Sequence, residues 1–179
     1  MIGPPELIDA GPMVLRRYVP EDALALAEAV NASLEHLRPW MPWAQSLATV
    51  GSMTAFIEQA TSAASAGTEF QYGMFDHGGT GVVGGCGLHA RGDPGSLDIG
   101  YWVHVDHLRR GIATASAAAL SRAALALPGV ERVEIHCDAA NLASAAVPRK
   151  LGFRLARVEE RPRAAPGESG RRMVWVSPT

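Results

Sequence analysis

Tyr101-Trp102-Val103-His104-Val105-Asp106-His107-Leu108-Arg109-Arg110-Gly111-Ile112-Ala113-Thr114 reads as a strand that runs into a basic turn and then, at once, into an alanine-rich helix. The first turn of such a helix carries peptide N–H groups with no intrahelical acceptor, at an electropositive end. A phosphate placed there gains hydrogen bonds and a favourable field. Arg109 and Arg110 can add charge-assisted contacts, Gly111 permits close backbone approach, and Thr114 adds a hydroxyl. The same residues would also serve as a surface turn capping a buried helix. This window is not a nucleotide fingerprint of either common kind: Gly111 is followed by no spaced second glycine, and no Gly-Lys-Ser/Thr occurs.

Working outward, three strands with turns between them precede this turn. They run from Glu69 to Phe75, ending at Asp76-His77-Gly78-Gly79, from Gly81 to His89, and from Leu97 to Val105 after Asp93-Pro94-Gly95. The helix from Ile112 to Leu127 has few charges and mostly small side chains, which suits burial against a sheet. Val133 to Cys137 alternates as a strand, and Asn141 to Leu151 reads as a short helix whose last turn Pro148 should weaken. Phe153 to Val158 and Met173 to Val176 complete the strands, with a polar, turn-rich segment from Arg161 to Gly170 between them. Toward the N-terminus, Met13 to Arg16 is a short strand. Pro20 then opens a helix with Leu24, Leu26, Ala27 and Val30 on its apolar side. Two prolines stiffen Leu37-Arg38-Pro39-Trp40-Met41-Pro42-Trp43, and a second helix runs from about Ser52 to near Gly67. This order implies one α/β domain over residues 1–179, a mixed sheet covered by helices.

The 179 residues are 47% hydrophobic and 19% charged, with 19 glycines and 12 prolines, which suits a folded domain rich in turns. A formal net charge of −2 points to neither nucleic acid nor an anionic membrane surface. Lys150 is the only lysine among 16 basic residues, a bias spread over the whole chain and read as a coding bias. Cys86 and Cys137, the only cysteines, are too few for a disulfide scaffold or a cysteine-based zinc site, and no close His/Asp/Glu cluster has metal spacing. With no leader-like start and no long apolar run, the expected place is the cytoplasm.

Asp98-Ile99-Gly100-Tyr101-Trp102-Val103 followed by Arg109-Arg110-Gly111-Ile112-Ala113 resembles the pantetheine strand and pyrophosphate loop of the Gcn5-related N-acetyltransferases (GNAT). Asn141-Leu142-Ala143-Ser144, then Arg149-Lys150-Leu151-Gly152-Phe153, is similar to the second half of that signature. His36-Leu37-Arg38-Pro39-Trp40-Met41-Pro42-Trp43 narrows the likeness to the RimJ/RimL-like subgroup, which acetylates N-terminal amines of ribosomal proteins, together with its small-molecule relatives. The resemblance implies a GNAT-like fold with a sheet splayed at the cofactor, acetyl-CoA as acyl donor, a primary amine as acceptor and a homodimer as the modest expectation. It implies that Val103 and Val105 offer backbone groups to the pantetheine arm and that the amides from Arg109 through Gly111, Ile112 and Ala113 to Thr114 cradle the pyrophosphate. Asn141 would contact the arm, Ser144 would sit near its sulfur, and Arg149 or Lys150 could meet the outer phosphates. Two positions depart from the family: Leu108 replaces a polar residue opening the loop, and Pro148 stands where many members have a general-acid tyrosine. Ser144 is thereby left as proton donor to the leaving thiolate.

Acetyl transfer needs a neutral amine, an oriented thioester, a donor to its carbonyl oxygen and a path for the amine proton. Ser144 lacks the surroundings of a nucleophile elbow and Cys137 sits within a strand, so direct attack by the amine is expected. Asp98 is the first base candidate and His89, ending the neighbouring strand, the alternative; His136 suits a satisfied sheet position, and His104 and His107 flank the cofactor turn. Trp40, Trp43 and Trp102 could wall the acceptor pocket. The acceptor is either a protein N-terminus or a small molecule, and a non-catalytic acyl-CoA-binding module is the other reading, motivated by Pro148 and Leu108.

Overall fold

The computed structural model describes residues 3–78, 81–91 and 93–178, so Gly79 of the expected turn lies outside the described residues. β1 (Leu7–Asp9) and β2 (Val14–Arg17) lead through a 3₁₀ turn into α1 (Ala23–Ala32), α2 (Leu34–Leu37) and α3 (Val50–Ala66). The meander β3 (Glu69–Phe75), β4 (Val82–His89) and β5 (Ser96–Val103) precedes α4 (Ile112–Leu125). β6 (Arg132–Asp138), α5 (Leu142–Lys150), β7 (Arg154–Glu160) and β8 (Arg171–Val176) complete the order. The eight strands form one sheet, β1-β2-β3-β4-β5-β6-β8-β7. It is mixed because β5 and β6 run parallel while every other neighbouring pair is antiparallel.

Strand alternation sorts the two faces of this sheet. On one, Leu15, Tyr72, Met74, Cys86, Leu88, Ile99, Val133 and Ile135 build the main core with α4 and α5. The α4 residues Ala117, Ala119, Leu120 and Ala124 are buried there, their small side chains allowing the helix to lie close on β4, β5 and β6. On the other face, α1 and α3 pack Leu26, Ala29, Val30 and Ile57 around Tyr18, Phe75 and Val82. That second face also carries Gly85, Gly87 and Gly100, which follow Trp102 and Asp98 in the β4–β5 register.

The sheet opens between β5 and β6. These strands pair from Ser96↔Arg132 to Asp98↔Glu134 and then part. Past that rung β5 stays with β4 as far as Gly84↔Val103, and β6 stays with β8 as far as Asp138↔Arg172. His104 N–H donates to Val83 O at 2.9 Å. The alternation of an antiparallel ladder then turns the peptide groups of Tyr101 and Val103 away from β4, into the opening.

Several boundaries differ from the sequence expectation. β5 ends at Val103, not Val105, because the chain enters a 3₁₀ turn at Val105–His107. α3 begins earlier than Ser52, since Thr49 caps it: Thr49 Oγ1 accepts from Ser52 N at 3.0 Å while Ser52 Oγ accepts from Thr49 N at 2.9 Å. β1, three residues long and largely exposed, has no alternation to betray it. Pro148 does not unwind α5, which continues to Lys150. Among the described residues no helix is long and apolar enough to cross a membrane.

Candidate active site

The turn before α4 has an unusual backbone. Gly111, its N-cap, has φ 78°, and Arg109 has φ 61°. A non-glycine residue in this left-handed region costs about 1–2 kcal/mol. Among the described residues, the peptide N–H groups of residues 109–114 find no protein acceptor; Ala115 is the first to bond back, to Gly111 O at 2.9 Å. A row of free donors thus stands at the positive end of a 14-residue helix, beside the exposed guanidinium-bearing Arg109 and Arg110. Val105 does not join it: its N–H donates to the buried Ser33 Oγ at 3.0 Å, so of the backbone groups expected to be offered there the amide is already taken. Val103, still in β5, keeps its peptide groups toward the opening.

α5 faces this opening from the β6 side. Asn141 is its N-cap, with Oδ1 accepting from Ser144 N at 3.1 Å, so its amide nitrogen is the end left for a ligand. Pro148, four residues after Ser144, brings no N–H to bond Ser144 O. That carbonyl instead accepts from Tyr101 OH at 3.0 Å, and Tyr101 OH also meets Ser144 Oγ at 3.2 Å. Burial pushes the Tyr101 phenol well above its ordinary range, opposed by the Ser144 hydrogen bond, and so keeps it protonated. Arg149 stacks its guanidinium 5.3 Å from the Trp175 ring centre, on the outer part of α5. Asp138 anchors the turn into α5: Oδ1 accepts from Ala140 N, Ser169 N and Ser169 Oγ, and Oδ2 from Gly170 N.

A cavity of about 720 Å³ lies beside α5, lined by Asp98 and His89 on one rung of β5 and β4, by Tyr101, Asn141 and Ser144, and by Trp40, Trp43 and Trp102 toward α1 and α2. Trp43 meets Trp102 edge to face at 6.2 Å. Gly167 N donates to Pro39 O at 2.8 Å, so the loop between β7 and β8 closes against the aromatic loop. Asp98 is buried at the last shared rung, with Oδ2 2.5 Å from Arg91 Nε and Oδ1 without a protein partner among the described residues. His89 pairs with Glu69 at 3.4 Å. His136 is only half satisfied, a correction to its reading as a settled sheet residue: Nε2 lies 2.7 Å from Glu134 Oε2, while Nδ1 is buried without a partner among the described residues.

The cavity therefore unites Asp98, His89, Asn141, Ser144 and the three tryptophans, whereas Val103, the 109–114 turn and Arg149 lie outside its lining. Burial pushes the Cys86 and Cys137 thiols upward, so neither is a thiolate nucleophile. No group of three or more His, Cys, Asp or Glu among the described residues is arranged to hold a metal ion. Sequence reasoning missed the Tyr101 hydroxyl, and the signal for it was Pro148, which frees a carbonyl four residues back.

Residues 13–154 match the family model described as an acetyltransferase (GNAT) domain. The fold is similar to that of a microcin self-immunity acetyltransferase, MccE, in complex with acetyl-CoA and AMP, with a TM-score of 0.88 and 19% identity over 98% of this chain and 97% of that one. RimL, a ribosomal-protein α-N-acetyltransferase in complex with coenzyme A, gives a TM-score of 0.86 and 21% identity over 96% and 97%. Mycobacterium smegmatis RimJ, solved with CoA-disulfide, gives 0.79 and 26% over 97% and 85%. No curated protein matches the chain significantly in sequence. The matched segment holds the parted strands, the turn of free amides and the serine of α5, and this chain belongs to the GNAT acetyltransferase family.

Proposed function

We propose that the chain moves an acetyl group from acetyl-CoA to a primary amine, in the manner of the RimJ/RimL-like members. The observation that carries this is the row of free amides at 109–114, among the described residues, beside a sheet opened between β5 and β6. Acetyl-CoA supplies an acetyl group activated as a thioester. The 109–114 amides with Arg109 and Arg110 fit its diphosphate, the Val103 peptide and the Asn141 amide nitrogen fit its extended arm, and the Tyr101 N–H turned into the opening is a donor for a carbonyl oxygen. Ser144 Oγ, held by Tyr101, carries the proton available to the leaving sulfur. Trp40, Trp43 and Trp102 exclude water around the acceptor, and the Gly167–Pro39 contact closes the cavity on one side.

Release of free thiol from acetyl-CoA is the test, with alanine- and serine-initiated peptides, kanamycin and free amino acids as acceptors. Amine-dependent release supports the reading and its best acceptor decides between protein N-terminus and small molecule. Tight CoA binding without turnover on any acceptor would favour a non-catalytic binding module.

A further inference from the structure

We infer that His136 takes the proton from the acceptor amine, with Glu134 holding its imidazole in place; this deepens the acetyl-transfer reading and rests on it. His136 Nε2 lies 2.7 Å from Glu134 Oε2. A carboxylate only accepts, so Nε2 carries the hydrogen and the neutral ring keeps its lone pair on Nδ1. Nδ1 is buried and has no protein partner among the described residues. A buried acceptor left unmade costs roughly 1–3 kcal/mol, and here it belongs to a side chain lining the same cavity as Ser144 and Asp98.

The topology explains the position. Glu134 sits on the last rung shared with Asp98, and His136 follows two residues on, past the point where β6 leaves β5. Both side chains therefore share the face that carries Asp98, but only His136 stands where the strands have parted. Asp98 has one oxygen committed to Arg91 at 2.5 Å, and Oδ1, which has no partner among the described residues, is the one to meet a positive amine as an electrostatic partner. In the proton step the N–H bond of the ammonium breaks and its electron pair stays on nitrogen. The proton bonds to Nδ1, making an imidazolium stabilised by Glu134, and is returned to solvent before the next turnover. The titratable and charged side chains that share a cavity lining with this ring are Glu69, His89, Arg91, Asp93, Asp98, Glu134, Arg157 and Arg172 on one side and Asp138, Arg161 and Glu168 on the other, and Arg132 Nε lies 3.5 Å from Glu134 Oε1.

The experiment uses the full chain with acetyl-CoA, the best acceptor of the panel above, and benzylamine as a minimal primary amine. His136→Gln should lower kcat/KM by roughly 10²–10³-fold and remove the rise of rate from acid to neutral pH, while CoA affinity stays within twofold. Glu134→Gln should lose about tenfold, and Asp98→Asn should raise the amine KM while keeping the acid limb. Nitrogen NMR of the ligand-free protein should show the His136 proton on Nε2. CoA affinity certifies that each variant folds, and His136→Asn replaces His136→Gln if it does not. A His136 variant retaining more than half of kcat/KM, or a ring protonated at Nδ1 alone, overturns the assignment. Wild-type protein that binds CoA and acetylates none of the amines overturns the acetyl-transfer reading itself, a result separable from the first.

Discussion

The hydroxyl of Tyr101 is the residue on which the thiol side of the site turns. It satisfies the carbonyl that Pro148 leaves open and meets the hydroxyl of Ser144, so one buried phenol both completes α5 and orients the candidate proton donor. Tyr101→Phe strands the Ser144 carbonyl, which should cost about 1–3 kcal/mol in urea unfolding. It should also lower kcat about tenfold with CoA affinity unchanged, since the cradle at 109–114 is untouched. Ser144→Ala should lower kcat further, and the double variant should be no slower than Ser144→Ala alone, because the phenol acts through the serine. Additive losses would show that the two hydroxyls act separately. The phenol lies above its ordinary range because of burial, so the alkaline side of the pH–rate profile should be the same in wild type and Tyr101→Phe.

At the scale of elements, the start of α5 is held by Asp138 at the end of β6. Burial raises the carboxyl pKa, but donors from Ala140, Ser169 and Gly170 outweigh it and hold the group below its usual value. A carboxylate depressed in the folded state adds stability that is full above its unfolded pKa, about 3.9, and is lost as pH falls through the folded value. Asp138→Asn should therefore destabilise by about 2 kcal/mol between pH 5 and 8, with the gap to wild type shrinking below about pH 4 in denaturant titrations. A gap that persists at low pH would assign the loss to packing. β3 to β5, α4 and β6 were legible in the sequence because each is a sustained apolar, glycine- or alanine-rich run set off by turn residues, and the structure buries much of β3, β4, β6 and α4. What eluded it depends on partners far along the chain: Val105 continues the apparent alternation but is claimed by Ser33, and Tyr101 finds Ser144 43 residues away. His136 looked settled because strand position alone does not reveal that β6 has left β5 beside it.

For the molecule as a whole, the two faces of the sheet divide the work: α4, with the amide row at its start, and α5 pack on one, and the other is the glycine-lined face under α1 and the tryptophans. Gly85 lies on the second of these. A Cβ there would stand 2.4 Å from Trp102 Nε1 and 2.8 Å from the Tyr18 hydroxyl, so any side chain must push Trp102 from its place. Trp102 in turn is the edge-to-face partner of Trp43, and its displacement loosens the aromatic wall without touching the phosphate end. Overpacking of this kind costs roughly 1–3 kcal/mol. Gly85→Ala should thus lower unfolding stability by that amount, raise the amine KM about tenfold and leave CoA affinity, read by calorimetry, as it was. Loss of CoA affinity alongside the KM would mean that the two faces of the sheet are mechanically coupled through β4 and β5; an unchanged KM would mean that the wall is core packing and the acceptor is held elsewhere.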